Sequence, residues 1–398
     1  MKHEHIAPWW GAPKKFSTKF AERKISWLEL FYDLVYTVAI ARITTYFSQH
    51  PTLSGFLDYL YLFIMIFWGW FNGSMYHDLH GTPGIRTRLM TLWQMVAVAA
   101  MIVCLNSPQD RIMFRGTISI MVMQLYITYL WWSVGIYDKE HRRLNRPYTI
   151  CFLLSLLVIF STLFLHPPYV RIAFFASLVL NYLPPFYMSL GSRNRSFNLS
   201  PSMTERLGLF TIIMFGEVVT GAINGATTVQ EFSWVSWGTF VLAILIVFAL
   251  WWIFFALIAD RNCKEGLLKG QVMIVCYIPL LMSLGMLGAT FSGIFSATQA
   301  AQEWTYRLFA FRIAIFLWGT VLISNFLMYP ASYIPARKWF QLLLVAVGAI
   351  IAVGGYFVTQ LPLYLLFTII FILLLTIIVL MTIAWLRFEG DGGELHIE

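Results

Sequence analysis

Apolar runs of roughly twenty residues recur from residue 28 to residue 386, separated by short polar segments rich in arginine and lysine. A run of about 20 apolar residues is what an α-helix needs to cross a bilayer. The pattern predicts spans near 28–48, 56–76, 89–106, 113–136, 148–166, 169–190, 207–224, 234–259, 270–294, 305–328, 339–358 and 362–386. The fold expected is therefore all-α: a polytopic integral membrane protein of about 12 transmembrane helices.

Charge placement orients these spans. With the N-terminus inside, all but six of the 27 basic residues fall in cytoplasmic segments, the exceptions being Arg42, Arg111, Arg115, Arg171, Arg307 and Arg312. That bias follows the positive-inside rule through every loop, so both termini are expected to be cytoplasmic. A missed or false span would invert the alternation downstream. The first 24 residues lack the continuous apolar core of a signal peptide and read as a cytosolic tail. Trp9 and Trp10 suit the membrane interface.

Composition agrees. The chain is 59% hydrophobic and 12% charged, with a mean hydropathy of +0.72, which excludes a soluble enzyme built around one core. The net charge of +8 requires no nucleic acid partner, because basic loops against anionic lipid account for it. The cysteines Cys104, Cys151, Cys263 and Cys276 form no close-spaced pair, so neither a metal site nor a disulfide framework is expected. Asn194-Arg-Ser and Asn198-Leu-Ser match a glycosylation pattern, but the topology puts both in a cytoplasmic loop.

Weak matches between the halves suggest a duplication. Trp70 to Asp78 and Trp252 to Asp260 each end a span with an aspartate eight residues after a tryptophan. Phe114-Arg115 and Phe311-Arg312 open the fourth and tenth spans, and Leu-Phe precedes the acids Asp33 and Glu217. The expected division is a cytosolic tail at 1–24, a first six-helix repeat at 25–200, a second at 201–388 and a short cytosolic tail at 389–398. Six spans per repeat make the copies parallel, with the first and seventh spans as partners across a pseudo-twofold axis.

The acids inside the spans carry the candidate chemistry. An intramembrane carboxylate costs at least ~2.5–3.5 kcal/mol to insert, so it faces the protein interior and often serves a purpose. Glu29, Asp33 and Thr37 recur at i, i+4 and i+8 and form one polar stripe. Arg206, Phe210, Ile213 and Glu217 share a face of the seventh span, whose start is expected around Ser202, Thr204 and Glu205. Glu217 then falls near mid-membrane, with Thr220 close by. Gly208, Gly216 and Gly221 allow close packing there. Two readings of the acids stay open: a structural salt bridge with Arg86, Arg88 or Arg206, or a proton or cation site. For Glu217 the structural alternative is an interhelical hydrogen bond from the protonated acid. Asp78 near Arg86 and Arg88 reads as an ion-pair network, and Asp260 as its counterpart. His77 and His80 flank Asp78 without a fourth ligand at sensible spacing, so no metal is expected. Arg115 and Arg312 on the outer side can attract an anion or snorkel to the interface. Asn72, Gln94, Gln124, Asn181 and Asn325 are expected as interhelical polar contacts, and Pro184-Pro185 and Pro279 as kinks.

Glu29-Leu-Phe-Tyr-Asp33-Leu-Val35, together with Glu205-Arg-Leu-Gly-Leu-Phe210 leading to Gly216-Glu217 and the stretch from Asp78 to Arg88, resembles the bacterial low temperature requirement A membrane family. The resemblance implies a multi-pass protein of the bacterial cytoplasmic membrane; the family's name records a growth phenotype and implies no activity. Phe31-Tyr-Asp33 and Arg206-Leu-Gly-Leu-Phe210 also resemble parts of the Arg-x-x-x-Phe-Ser-Asp motif opening the six-span repeats of proton-gated potassium channels, but Trp27 stands in place of the Arg and the second run lacks the Asp.

The function expected is transport of a small ion or solute by a carrier or channel between the halves, with Glu29, Asp33, Thr37, Glu217 and Thr220 at its site. Asp78, Arg86, Arg88, Glu205, Arg206 and Asp260 would be charge partners. Membrane lipids are the expected surroundings, no cofactor is expected, and a homodimer is compatible. An intramembrane enzyme acting on lipid is the alternative, with the carboxylates as acid and base, but no nucleophile accompanies them. A membrane scaffold or sensor is the third reading.

Overall fold

The computed structural model describes residues 13–14, 24–49, 52–82, 84–105, 109–139, 142–191, 199–229, 231, 233–295, 299–357 and 361–390. Trp9, Trp10, both asparagines of the glycosylation pattern (Asn194 and Asn198) and most of both tails lie outside the described residues.

Twelve α-helices run through the described residues: α1 (Trp27–Gln49), α2 (Leu53–His80), α3 (Ile85–Cys104), α4 (Gln109–Tyr137), α5 (Arg142–Ser161), α6 (Pro167–Gly191), α7 (Pro201–Thr227), α8 (Trp234–Ile258), α9 (Leu267–Ile294), α10 (Gln299–Ser324), α11 (Ile334–Phe357) and α12 (Leu363–Gly390). A single 3-10 turn, Ala331–Tyr333, precedes α11. No strand occurs among the described residues, only one isolated antiparallel bridge between Cys263 and Leu327. Ten helices are long and apolar enough to cross a membrane. The other two are α1, which carries Glu29, Asp33 and Arg42, and α5, whose apolar part is Asn145–Ser161.

Several helices begin where side chains satisfy free N–H groups. Thr52 accepts a hydrogen bond from Gly55 N at 3.0 Å to start α2, and Ser233 accepts from Ser236 N at 3.1 Å to start α8. The start of α7 is Ser200, whose hydroxyl accepts from Met203 N at 3.1 Å, with Pro201 as the first helical residue. This corrects the expected start around Ser202, Thr204 and Glu205. The helix therefore begins six residues before the apolar run does, and Glu217 lies about 24 Å along it at 1.5 Å per residue. The prolines Pro184, Pro185 and Pro279 lie inside α6 and α9, each of which continues past them as one helix.

The chain forms two compact units, residues 1–206 with 265–268, and residues 207–264 with 269–398. The first unit is held at its centre by buried amides. Gln124 on α4 and Asn181 on α6 exchange hydrogen bonds at 2.9 and 3.0 Å, Gln124 also donates to Phe152 O at 3.1 Å, and Trp68 Nε1 donates to Asn181 O at 3.2 Å. A polar pair in an apolar core is stable only when each donor finds an acceptor, and this one does. No buried amide pair of this kind is seen among the described residues of the second unit. Its interior is aromatic, with Phe291, Phe309 and Phe367 mutually in contact at centroid distances of 5.0 to 5.8 Å.

Outward faces are apolar too. Along α12, Ile369, Ile372, Leu375, Val379, Ile383 and Leu386 are exposed, and along α11 Leu342, Val345, Ile350 and Val353. Contiguous apolar faces of this extent belong against lipid, not water.

Candidate functional site

The acids of α1 are tied down from three directions. Ser26 caps the helix: its N–H and hydroxyl donate to Glu29 Oε2 at 2.9 and 2.8 Å, and its Oγ accepts from Glu29 N at 3.4 Å. This is a capping box, and the Ser26-x-x-Glu29 spacing spells it. The second fastening is Arg206, in the second turn of α7. It donates through Nη2 to Asp33 Oδ1 at 2.5 Å, through Nε to Asp33 Oδ2 at 3.4 Å and through Nη1 to Glu29 Oε1 at 3.5 Å. The third is Trp70 on α2, whose indole Nε1 donates to Asp33 Oδ1 at 2.7 Å. Glu29, Asp33 and Arg206 are each at most 1% exposed. The guanidinium also lies 5.8 and 5.9 Å from the rings of Tyr32 and Trp70. A fork that meets both oxygens of one carboxylate is the strong form of an ion pair, and aromatic walls suit the weakly hydrated guanidinium.

A second fastening joins α2 to α7. Asp78, near the end of α2, accepts from the hydroxyls of Ser200 and Ser202. A carboxylate there also suits the positive end of the α7 dipole. The first two turns of α7 are thus held by charge to α1 and by hydrogen bonds to α2. Ser26→Ala is expected to lower stability by ~1 kcal/mol, as loss of a helix N-cap does, with the same Arg206 contacts retained. A thermal unfolding midpoint measured in detergent checks this.

The remaining predicted residues scatter. Thr37, at the end of the stripe, turns its hydroxyl back to Leu34 O at 2.8 Å. Arg86 is buried and donates to Ser133 Oγ at 2.9 Å, whereas Arg88 and Glu205 are exposed. His77 meets Thr91 Oγ1 at 3.3 Å, and His80 Nδ1 lies 2.8 Å from Lys14 O. Arg115 is exposed on α4. In the second unit, Arg312 Nη1 donates to Met286 O at 2.9 Å. Asp260 is exposed and has φ 56°, a left-handed conformation that aspartate tolerates better than most residues.

Glu217 is half-buried on α7 in the second unit. Thr220, one turn on, is exposed and bonds Gly216 O at 3.0 Å. The glycines nearby divide sharply. A Cβ built on Gly221 would overlap the carbonyl of Gly288 on α9, and one on Gly225 the carbonyl of Phe291. Gly216 has nothing within 4 Å, and Gly208 makes only an ordinary contact of 3.8 Å with Phe255. Of the three glycines expected to allow close packing, only Gly221 does so; Gly225, one turn further and on the same face, is the second.

The family model described as bacterial low temperature requirement A protein (LtrA) matches residues 24–384. The chain belongs to this family. No curated protein matches it. The match to the LtrA model takes in the capped acids of α1, the α2 aspartate, Arg206 and Glu217. This member of the LtrA family is a membrane protein with ten helices apolar and long enough to span among the described residues, and its charged cluster is built from α1, α2 and α7.

Proposed function

We propose that this protein moves a small ion or solute across the bacterial cytoplasmic membrane, with Glu217 as the carboxylate that meets the transported species. The observation that carries this reading is the contrast between the acids. Glu29 and Asp33 are sealed and held by Arg206, while Glu217 sits half-buried some 24 Å along an apolar helix by its rise per residue. Intramembrane acids that line a pathway need access as well as burial. Glu29, Asp33 and Arg206 then serve as the anchor that fixes the start of α7, and Thr220 and Gly216 leave room beside the acid.

The test uses purified protein in liposomes under imposed proton, sodium and potassium gradients, each read by an ion-sensitive dye. Glu217→Gln is expected to lower the flux per folded protein by about tenfold or more, equivalent to at least ~1.4 kcal/mol at the barrier. Asp33→Asn is expected to lower the amount of folded protein and leave flux per folded protein near wild type. Equal flux in wild type and Glu217→Gln across the pH range would sink the assignment.

The sealed cluster specifically favours a second reading in which all of these charges are structural. Loss of folded protein in every acid variant, with no flux in wild type, is the result that reading expects.

A further inference from the structure

At one end of the second unit, the loop after α8 and the loop after α10 are pinned together by backbone. Lys264 N donates to Phe326 O at 2.8 Å and Met328 N to Asn262 O at 2.9 Å. This pairing brings two guanidinium groups to one aromatic pair, with the Lys264 ammonium near one of them. Tyr329 and Tyr333 stack at 5.9 Å with an interplanar angle of 8°. The guanidinium of Arg261 lies 4.3 Å from the Tyr329 ring and 5.3 Å from the Tyr333 ring, and that of Arg337 lies 4.9 Å from the Tyr329 ring. Tyr329 itself is held by donating to Leu257 O at 2.7 Å. Burial pushes its phenol up to about 12, so it is neutral and cannot act as the counter-anion.

The positive charge is only partly answered. Arg337 Nη1 donates to Ser324 O at 3.3 Å and Lys264 Nζ to Asn325 O at 2.7 Å, which compensates the negative end of α10. Among the described residues, no hydrogen bond from Arg261 is seen, and no ion pair joins Arg261, Lys264 or Arg337 to a carboxylate. The Nε atoms of Arg261 and Arg337 are buried without a hydrogen-bond partner, and Arg337 is only 9% exposed. The Lys264 ammonium is held below its usual range, first by desolvation and then by the charges of Arg337 and Lys269. A buried guanidinium edge without an acceptor is costly. The tyrosine ring covers one face of Arg261 and leaves the in-plane fork, which fits two oxygens of a phosphate.

We infer that this corner binds a phosphate-bearing anion through Arg261, Arg337 and Lys264, with Tyr329 and Tyr333 holding the guanidinium groups in place. The anion has two chemical sources: a phospholipid headgroup or a soluble phosphate. Helix-end compensation alone explains Arg337 and Lys264 but leaves Arg261 without an acceptor.

The experiment separates these. Wild-type protein in detergent is titrated with inorganic phosphate against chloride at equal ionic strength, and its thermal midpoint is recorded. The same protein in nanodiscs of phosphatidylcholine, with and without phosphatidylglycerol, gives the lipid arm. A rise with inorganic phosphate identifies a soluble anion, and a rise confined to phosphatidylglycerol identifies a headgroup. In Arg261→Gln the apparent affinity should fall about tenfold or more, as loss of a charge-assisted pair implies. Arg261→Lys, which keeps the charge and the fold but loses the fork, should fall between the two. No rise in either arm for wild type overturns the site, as does an equal rise in Arg261→Gln.

Discussion

Arg206→Ala is expected to destabilise the protein by about 3–5 kcal/mol, the cost of stripping one partner from a buried ion pair. Two carboxylates and one guanidinium share a space where Glu29 is 1% exposed and Asp33 is 0%. Without the guanidinium, Asp33 keeps one indole donor and loses two N–H groups. The damage should therefore come from stranded charge and not from lost contact area. Two comparisons distinguish these. Arg206→Lys retains the charge but not the fork, and should cost less than alanine while remaining unstable relative to wild type. The triple variant Glu29→Gln, Asp33→Asn, Arg206→Met removes every charge, and should recover much of the loss, because an apolar replacement of a whole buried pair is often near neutral. Unfolding midpoints of the four proteins in one detergent decide the matter. If the triple variant is no more stable than Arg206→Ala, stranded charge is not the reason Arg206 is needed.

Much of this architecture was legible in the chain because bilayer length and apolar composition are local properties. Each of the twelve expected spans overlaps one described helix. The disagreements lie at the ends, where α2 runs on to His80 and α7 begins at Pro201. Helices continue past the apolar run wherever a cap satisfies the backbone, and Ser200 does this for α7. The cluster was half legible. Spacing alone puts Glu29 and Asp33 on one face, but the choice of Arg206 over Arg86 or Arg88 depends on contacts 173 and 177 residues apart. Arg86 went to Ser133 instead. Thr37 shares the stripe by spacing, yet its hydroxyl returns to its own helix, as threonine side chains in helices commonly do. The indole of Trp70 gave no signal in the sequence, since tryptophan in an apolar span reads as lipid-facing or core until its N–H is placed. The paired loops around Tyr329 were likewise hidden, because each basic residue there already had an explanation in the positive-inside bias.

The glycines of α7 give the other large effect, and one with opposite signs along a single helix. Gly221→Ala is expected to cost about 1–3 kcal/mol, because its methyl group would meet the Gly288 carbonyl, and backbone cannot swing aside as a side chain can. Gly225→Ala should behave alike against the Phe291 carbonyl, and Gly221→Val should be worse than either. Gly216→Ala, five residues earlier with open space where its Cβ would go, should be neutral or stabilising by up to ~1 kcal/mol, the usual gain when a helical glycine becomes alanine. Thermal midpoints of the four variants test the set together. A Gly221→Ala protein as stable as Gly216→Ala would mean that α7 and α9 do not approach backbone to backbone. If the ordering holds, the half-buried Glu217 lies just before a helix contact too tight to admit a methyl group, which gives its side chain a rigid mounting. A carboxylate that handles an ion needs that rigidity, since its geometry must survive changes in its own charge.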